Sequence, residues 1–200
     1  MTRKRSNKQQ TRRKRINLTN VLILIAIAIV IGGIAFALIQ KPPSEEEQQS
    51  GKWLFALDTS TARVGDKQQY RTGYIPTLVV IDINGNIIHK EAGVHTKSEL
   101  ISLIEQAENG SAPSLGTAPD FTLKTFNGET FTLSEHRGKV IILDFMAVRC
   151  PPCHQQMPEL HKVKLDKGDD VIILSIDVYG AYEYETEQDV RKAFGEYIKE

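Results

Sequence analysis

Cysteine is scarce in this chain of 200 residues, which holds only Cys150 and Cys153, both in the stretch RCPPCH. A disulfide across so short a loop restricts the unfolded chain little, so it contributes little to stability. The sequence is therefore not that of a small scaffold held together by several disulfides. Because a disulfide between these cysteines would add little stability, the pair is interpreted as chemically reactive.

Net charge is also absent, with 25 basic and 25 acidic residues, but the balance is uneven along the chain. The first fifteen residues carry eight basic residues and no acid, which leaves 17 basic against 25 acidic residues in the remainder, a net charge of −8. An acidic body of this kind is not typical of a protein that binds nucleic acid. We therefore expect no nucleic-acid partner.

Charged and strongly polar residues are missing altogether from Val21 to Ile39. A helix of about 20 apolar residues spans a bilayer, and basic residues remain on its cytoplasmic side. We predict a basic cytoplasmic head, a single-pass anchor in the cell membrane, a polar linker and an extracytoplasmic domain; their ranges are 1–16, 17–40, 41–51 and 52–200. The alternative is a cleaved signal peptide, since AFA at 35–37 resembles a cleavage site.

The remainder alternates strand-like and helix-like segments, which predicts an α/β fold. Thr96 and Glu99 form a capping-box pattern at the start of an amphipathic helix. A stretch rich in Gly, Pro and Ser at 108–119 predicts a second linker. The predicted strands are 53–58, 77–82, 87–93, 140–147 and 171–178, and a small hairpin is predicted after residue 120. The predicted helices are 59–70, 96–107, 150–165 and 190–198.

The two cysteines lie where an apolar strand gives way to a helix. Cys150 is expected at the helix N-terminus, where unpaired N–H groups and the helix dipole stabilise a thiolate. Arg149 adds a positive charge beside it and is expected to lower the pKa of this nucleophile further. Cys153, one turn later, can resolve a mixed disulfide with a substrate. Pro151 and Pro152 suit the first helical turn.

Asp144 is a lone carboxylate inside the apolar run VIILDFMA. Burial is expected to raise its pKa, which suits a proton acceptor for Cys153, since the cysteine pair begins six residues downstream. The alternative is a polar residue at a strand edge or one paired elsewhere in the fold.

Two non-enzymatic interpretations of CPPCH remain open. The segment fits the C-x-x-C-H attachment signature of c-type haem, with His154 as the axial ligand. Zinc is a weaker alternative, because the two cysteines with His154 and His161 do not have a familiar ligand spacing. Neither a metal nor another cofactor is part of the favoured interpretation.

Three stretches resemble a known family. VIILDFMAVRCPPCHQQMPEL resembles the active-site strand and helix of the thioredoxin superfamily, and APDFTLKTFNGETFTLSEHRGKVIILDF resembles the start of its TlpA-like, membrane-anchored branch. GYIPTLVVIDINGNIIHKEAG resembles the cis-proline loop and the hairpin after it. The resemblance implies that the Ile75–Pro76 bond is cis, that this loop faces the cysteines and binds substrate backbone, and that Asp144 is the buried aspartate of thioredoxins.

The order of these stretches is inverted relative to the family, in which the CxxC motif precedes the cis-proline. Placing residues 112–200 before 51–107 restores the family's order. The resemblance thus implies a circularly permuted thioredoxin fold, which is physically tolerable because domain ends often lie close together. Its parts are a cis-proline half at 52–107, the linker at 108–119 and a CxxC half at 120–200.

Two positions depart from the family. Arg149 stands where a Trp usually precedes the first cysteine, and Gln156 stands where many TlpA-like proteins carry a Glu. The acid–base role therefore rests on Asp144, and dedication to cytochrome c maturation is not implied.

The resulting prediction is a membrane-anchored thiol–disulfide oxidoreductase that exchanges disulfides with extracytoplasmic proteins. A reductase supplied by a membrane electron donor is favoured, with a disulfide oxidant or isomerase and a haem carrier as alternatives. A monomer is expected, and a dimer that exchanges half-folds is the other possibility.

Overall fold

The computed structural model describes residues 51–200. The predicted basic head, the anchor and all but the last residue of the first linker lie outside the described residues. Between residues 51 and 200, no helix has both the length and the apolar character needed to cross a membrane.

The described residues form seven β-strands and three α-helices, joined by loops and short 3-10 turns. The strands are β1 Leu54–Leu57, β2 Thr77–Ile81, β3 Ile87–Ala92, β4 Thr122–Lys124, β5 Thr130–Thr132, β6 Val140–Met146 and β7 Val171–Asp177. The helices are α1 Lys97–Asn109, α2 Pro151–Lys167 and α3 Glu187–Phe194.

Five strands make one mixed sheet in the order β1-β7-β6-β2-β3, and β4 and β5 form a separate hairpin. Strands β1, β7 and β6 are parallel, whereas β2 and β3 are antiparallel to their neighbours. Strand β6, which leads to the cysteines, therefore lies between β7 and β2. This is a thioredoxin-like arrangement, and it confirms the prediction of an α/β fold.

The two faces of the sheet bury different groups of side chains, because successive residues of a strand point to opposite faces. Along β6, Val140, Ile142 and Met146 belong to the core that also contains Cys150 and Cys153. All three helices contribute to this core, which we call the helical face. The opposite face is covered by the β4–β5 hairpin and neighbouring loop residues.

Most predicted elements are present, and the capping box that opens α1 is confirmed in both directions between Thr96 and Glu99. The helix predicted at 59–70 is wrong, since only a 3-10 turn forms there, at Val64–Asp66. The carboxylate of Asp58 accepts hydrogen bonds from the backbone N–H groups of Thr59, Val64 and Gly65, and such local bonds compete with a regular helix.

Two other boundaries also differ from the prediction. Helix α3 ends at Phe194, and Ile198 instead forms a parallel bridge with Trp53 beside β1. The segment 108–119 is partly ordered on the sheet edge, because the N–H of Leu115 donates to the carbonyl of Ile87 and the N–H of Ile87 donates to Gly116. Backbone hydrogen bonds to the edge strand β3 therefore hold part of this predicted linker in place.

Candidate active site

The cysteines lie at the N-terminus of α2 and are joined by a disulfide. Cys150 is the N-cap residue, and its sulfur accepts a hydrogen bond from the N–H of Cys153 at 3.2 Å. Pro151 and Pro152 occupy the first turn, as predicted. Cys150 is 6% exposed and Cys153 is 0% exposed, so an incoming sulfur meets Cys150 first.

The cis-proline loop lies beside the end of β6. The Ile75–Pro76 bond is cis, which confirms that expectation. Thr77 pairs with Phe145, so Pro76 is level with the last residue of β6, shortly before the cysteines. Ile75 packs against the helical-face core that contains both cysteines. The fold therefore brings together residues that are more than seventy positions apart.

Asp144 is fully buried on the helical face, since it lies between Ile142 and Met146 in the alternation of β6. Its Oδ2 accepts a hydrogen bond of 2.8 Å from Ser175, which in turn accepts one of 2.9 Å from the indole N–H of Trp53. Its Oδ1 has no hydrogen-bond partner among residues 51–200. Burial raises the pKa of Asp144 to about 7, although the bond from Ser175 opposes the shift.

Glu185 holds the loop that precedes Cys150, a role that the sequence does not reveal. Its carboxylate accepts hydrogen bonds from the backbone N–H of Val148 at 2.7 Å and of Arg149 at 3.3 Å. The side chain is almost completely buried. Because these two amides belong to the residues just before Cys150, Glu185 positions the first cysteine.

Asp177, at the end of β7, is the partner of Glu185. Its Oδ1 accepts hydrogen bonds from the N–H groups of Tyr179 and Gly180, whereas its Oδ2 is buried without a hydrogen-bond partner among the described residues. Burial and the nearby carboxylate of Glu185 raise the pKa of Asp177 to about 8. The raised pKa favours a protonated Asp177 near neutral pH, which reduces the repulsion between the two carboxyl groups.

Sequence reasoning missed this pair for different reasons. Asp177 follows the apolar run VIILSI, so it carries the same signal of a carboxylate at a buried strand that Asp144 carries. Glu185 lies in the polar stretch EYETEQD, where nothing distinguishes it from a solvated acid. Its role depends on a tertiary contact with residues 37 and 36 positions away.

Arg149 is exposed, and its backbone rather than its side chain makes the contact that positions the site. The pKa of Asp189 is lowered mainly by hydrogen bonds from Thr186, with a smaller contribution from the Arg149 charge. The expected lowering of the Cys150 pKa by Arg149 stays a prediction, because both sulfurs are in the disulfide.

The geometry around CPPCH does not favour haem attachment. Both sulfurs are used in the disulfide, whereas the C-x-x-C-H motif attaches haem through its cysteines. The Nε2 of His154 donates to the carbonyl of Val148 at 2.8 Å, and its ring packs on Phe194 with 4.6 Å between centroids. His161 is also engaged, through a 3.0 Å contact between its Nδ1 and the carbonyl of Gly51.

A cavity of about 200 Å³ opens beside the cis-proline loop. It does not include either cysteine, but it shares Ile75 with the core around them. Its walls combine aromatic side chains with the charged residues Asp66 and Arg71, and Tyr74 is 78% exposed. Lining residues include Tyr70, Tyr74, Ile75, Phe145, Tyr179 and Tyr182.

Residues 114–193 match the protein family described as Redoxin. The chain is 38% identical over 64 residues to the thioredoxin-like protein YneN of Bacillus subtilis, a match that covers 32% of this chain and 38% of that protein. It is 38% identical over 63 residues to the thiol-disulfide oxidoreductase ResA of Geobacillus kaustophilus, with 31% of this chain and 36% of that protein covered.

The thiol-disulfide oxidoreductase ResA of Oceanobacillus iheyensis is 37% identical over 67 residues, which cover 30% of this chain and 35% of that protein. The matches thus span little more than a third of these curated relatives. No solved structure matches the chain significantly.

Proposed function

We propose that the chain is a TlpA-like protein of the thioredoxin superfamily and a thiol–disulfide oxidoreductase that acts on protein disulfides. The observation that carries the proposal is the arrangement at the end of β6. A cysteine pair begins α2, a cis-proline lies beside the end of the strand that leads to it, and a buried carboxyl group with a pKa of about 7 lies on the face of both cysteines. This arrangement supports the three roles that we propose: a nucleophile, a backbone that binds substrate and a proton acceptor.

The first step assigns the attack to Cys150. Its thiolate attacks one sulfur of a substrate disulfide, forms a mixed disulfide and releases the other substrate sulfur as a thiolate. The N-terminus of α2 stabilises the Cys150 thiolate in the reduced protein. Pro76 and the adjoining backbone orient the substrate strand beside the sulfur, and the tyrosine-lined cavity accommodates apolar substrate side chains.

The second step assigns proton transfer to Asp144. Its carboxylate accepts the proton of the Cys153 thiol, and the resulting thiolate attacks the Cys150 sulfur. The Cys150–Cys153 disulfide forms, and the second substrate sulfur leaves as a thiolate. The substrate is reduced by two electrons, and a dithiol donor must return the protein to its reduced form.

Single cysteine substitutions test these roles. Cys150→Ser is expected to abolish disulfide reduction of a model substrate such as insulin, because the attacking sulfur is gone. Cys153→Ser is expected to accumulate a mixed disulfide that a reductant cleaves, detected as a mass adduct. Full activity of the Cys150→Ser chain contradicts the assignment.

The favoured direction is reduction. The reduction potential of the full-length chain, measured against a series of glutathione redox buffers, tests it. A value near that of thioredoxin, about −270 mV, supports a reductase, whereas a value near that of DsbA, about −120 mV, supports an oxidant instead. A chain without a reversible couple is not an oxidoreductase.

Circular permutation is the second part of the proposal. Two observations support it: the cis-proline half precedes the cysteine half but joins the same sheet through β2 and β6, and the Redoxin match is confined to 114–193. In addition, backbone hydrogen bonds join Trp53 to Tyr197 and Lys199, so the segment that comes before β1 in the family's order lies beside it. A rearranged gene encoding 112–200 followed by 51–107 is expected to yield the same fold and disulfide chemistry.

The same rearrangement distinguishes a permuted monomer from a dimer that exchanges half-folds. Light scattering on the full-length chain is expected to give a monomer mass after correction for bound detergent. A stable dimer that becomes a monomer only after rearrangement supports exchange between two chains instead.

Membrane attachment through 17–40, with the redox domain on the outer side, is the third part. The uncharged run at 21–39 and the basic residues before it support this orientation. Expressed in a bacterial host, the chain is expected to sediment with membranes and to be digested by protease added to spheroplasts. Release of a shortened soluble protein indicates a cleaved signal peptide.

A further inference from the structure

A second group of chemically versatile side chains lies on the edge of the sheet, away from the disulfide. His89 and Glu91 are two residues apart on the edge strand β3, so both point to the same face. That face is the helical face, because their partners on β2 are Val80 and Leu78, which belong to its core. His95 lies in the turn between β3 and α1 and completes the group.

The donor atoms of these three residues converge. The Nε2 atoms of His89 and His95 are 3.0 Å apart, and the Glu91 carboxylate lies 4.0 Å from His95 Nε2. All three donor atoms lie within 4.8 Å of one another. His89 is half-buried and His95 is buried, whereas Glu91 is exposed and has room to change rotamer.

His95 is held so that one particular nitrogen faces the group. Its Nδ1 lies 3.1 Å from the carbonyl of Gly93, which places a proton on Nδ1 and leaves the lone pair of Nε2 free. Its backbone is also fixed, because the N–H of His95 donates to Gln156 at 2.7 Å and the amide of Gln156 donates to the His95 carbonyl at 3.1 Å. Histidines that ligate metals in proteins usually donate their other ring N–H to a carbonyl or carboxylate oxygen in the same way.

We propose that His89, Glu91 and His95 bind one divalent transition-metal ion, with Zn²⁺ as the ion that fits the donor set best. Two imidazole nitrogens and one carboxylate are a set that Zn²⁺ accepts, at about 2.0–2.2 Å from each atom, with a fourth position left for water. Nitrogens bound to one tetrahedral ion are about 3.3 Å apart at these bond lengths, close to the separation of the two Nε2 atoms. A rotamer change of Glu91 supplies the remaining approach.

The site is directly connected to the active-site helix. Gln156 lies one turn after Cys153 in α2 and is fully buried, and its amide is the group that clamps the His95 backbone. The proposed site is therefore separate from the sulfurs, but its position depends on the same helix. The proposal does not depend on the redox function, because metal binding is measured with the disulfide intact.

The competing explanation is a hydrogen bond between two neutral imidazoles, in which His89 donates to His95 and no metal is needed. Isothermal titration calorimetry of the oxidised full-length chain with ZnCl₂ distinguishes a metal site from a hydrogen bond between the two histidines. The disulfide keeps both sulfurs from ligating the ion. We expect one Zn²⁺ per chain, bound at micromolar concentration or tighter, and a matching titration with Co²⁺ to show the visible absorption of a four-coordinate ion.

Substitutions locate the binding. His89→Gln and His95→Gln are each expected to weaken Zn²⁺ binding by at least about tenfold, and Glu91→Gln to weaken it less because the carboxylate is exposed. His154→Gln and His161→Gln are matched controls that leave binding unchanged. Circular dichroism verifies the fold, and the half-buried His89 provides the test if His95→Gln fails to fold.

The proposal is overturned if the oxidised chain binds no Zn²⁺ in a stoichiometric ratio. It is equally overturned if His89→Gln retains the affinity of the unsubstituted chain, because the ion is then bound elsewhere. Loss of binding together with unchanged disulfide reduction supports the site and leaves the proposed enzymatic function intact.

Discussion

Two buried carboxyl groups lie on the neighbouring strands β6 and β7, and their surroundings differ. Asp144, in the interior of β6, receives one hydrogen bond, from Ser175, and its other oxygen has no partner among the described residues. Asp177, at the end of β7, accepts two backbone N–H groups and lies against Glu185. The pKa of each is raised, to about 7 and about 8.

The comparison shows that a raised pKa alone does not identify a proton-transfer group. Both groups have one carboxyl oxygen without a hydrogen-bond partner among the described residues, but only Asp177 has a second carboxyl group, Glu185, beside it. Asp144 lies on the face of both cysteines, which suits exchange of a proton during the reaction. Asp177 lies against Glu185, whose own oxygens bind the loop before Cys150, which suits a structural role. We therefore assign chemistry to the first group and positioning to the second.

The largest effect is expected from Asp144→Asn. An amide cannot accept the proton of Cys153, so turnover at pH 7 is expected to fall by about 100-fold, the usual scale of general-base catalysis. In the unsubstituted chain turnover should fall below pH 7, as the carboxylate is protonated, and this limb should vanish in the variant. Steady-state disulfide reduction measured from pH 5 to 9 checks both points.

The same variant provides its own control. In the proposed mechanism, attack by Cys150 does not use Asp144. The mixed disulfide is therefore expected to form at the same rate in an Asp144→Asn, Cys153→Ser chain as in Cys153→Ser alone. If the single Asp144→Asn variant turns over within twofold of the unsubstituted chain, the difference drawn between the two carboxyl groups is wrong.

Glu185→Ala is expected to reduce stability more than it affects the chemistry. It leaves the part-buried N–H groups of Val148 and Arg149 without their acceptor, which costs about 1 kcal/mol of unfolding free energy, the lower end of the range for buried groups. Denaturant unfolding of the oxidised chain measures this loss. Asp189→Ala is a useful comparison, because that carboxylate is exposed and serves only the α3 cap. An unchanged unfolding midpoint for Glu185→Ala contradicts the positioning role.

Asp177→Asn is expected to keep this position uncharged at every pH, as the protonated carboxyl group is. The folded chain keeps the Asp177 proton up to about pH 8, whereas the unfolded chain loses it near pH 4, so this group lowers stability as pH rises from 4 to 8. The variant has no titrating group at this position, because an amide does not ionise in this pH range. It should therefore be more stable than the unsubstituted chain above pH 8 and similar near pH 4.

Unfolding curves at pH 4.5, 6.5 and 8.5 measure that difference, which should widen by up to about 1.4 kcal/mol for each pH unit within the window. A constant difference at all three pH values means that Asp177 does not keep a proton in the fold.

The parts of this site that depend on local patterns could be predicted from the sequence. Cys150 and Cys153 at a helix start, and Asp144 within an apolar run, are visible in one short segment. The Trp53–Ser175 bond to Asp144 and the Glu185 contact were not predictable, because they depend on which strands become neighbours and in what register. The loop after β1 was mispredicted for a similar reason, since Asp58 binds its backbone in place of a helix.

The smallest effect is expected from Ser175→Ala, which isolates the single hydrogen bond to Asp144. That bond lowers the pKa of Asp144 against the effect of burial, so its removal should raise the pKa and move the acidic limb of the turnover profile upward. Trp53→Phe is the matched control, because it removes the indole donor to Ser175 but leaves the Ser175–Asp144 bond in place. If both variants shift the limb equally, the effect comes from disturbed packing around Trp53 and not from the bond itself. A shift confined to Ser175→Ala shows that Asp144 titrates during turnover, which is the property that distinguishes it from Asp177.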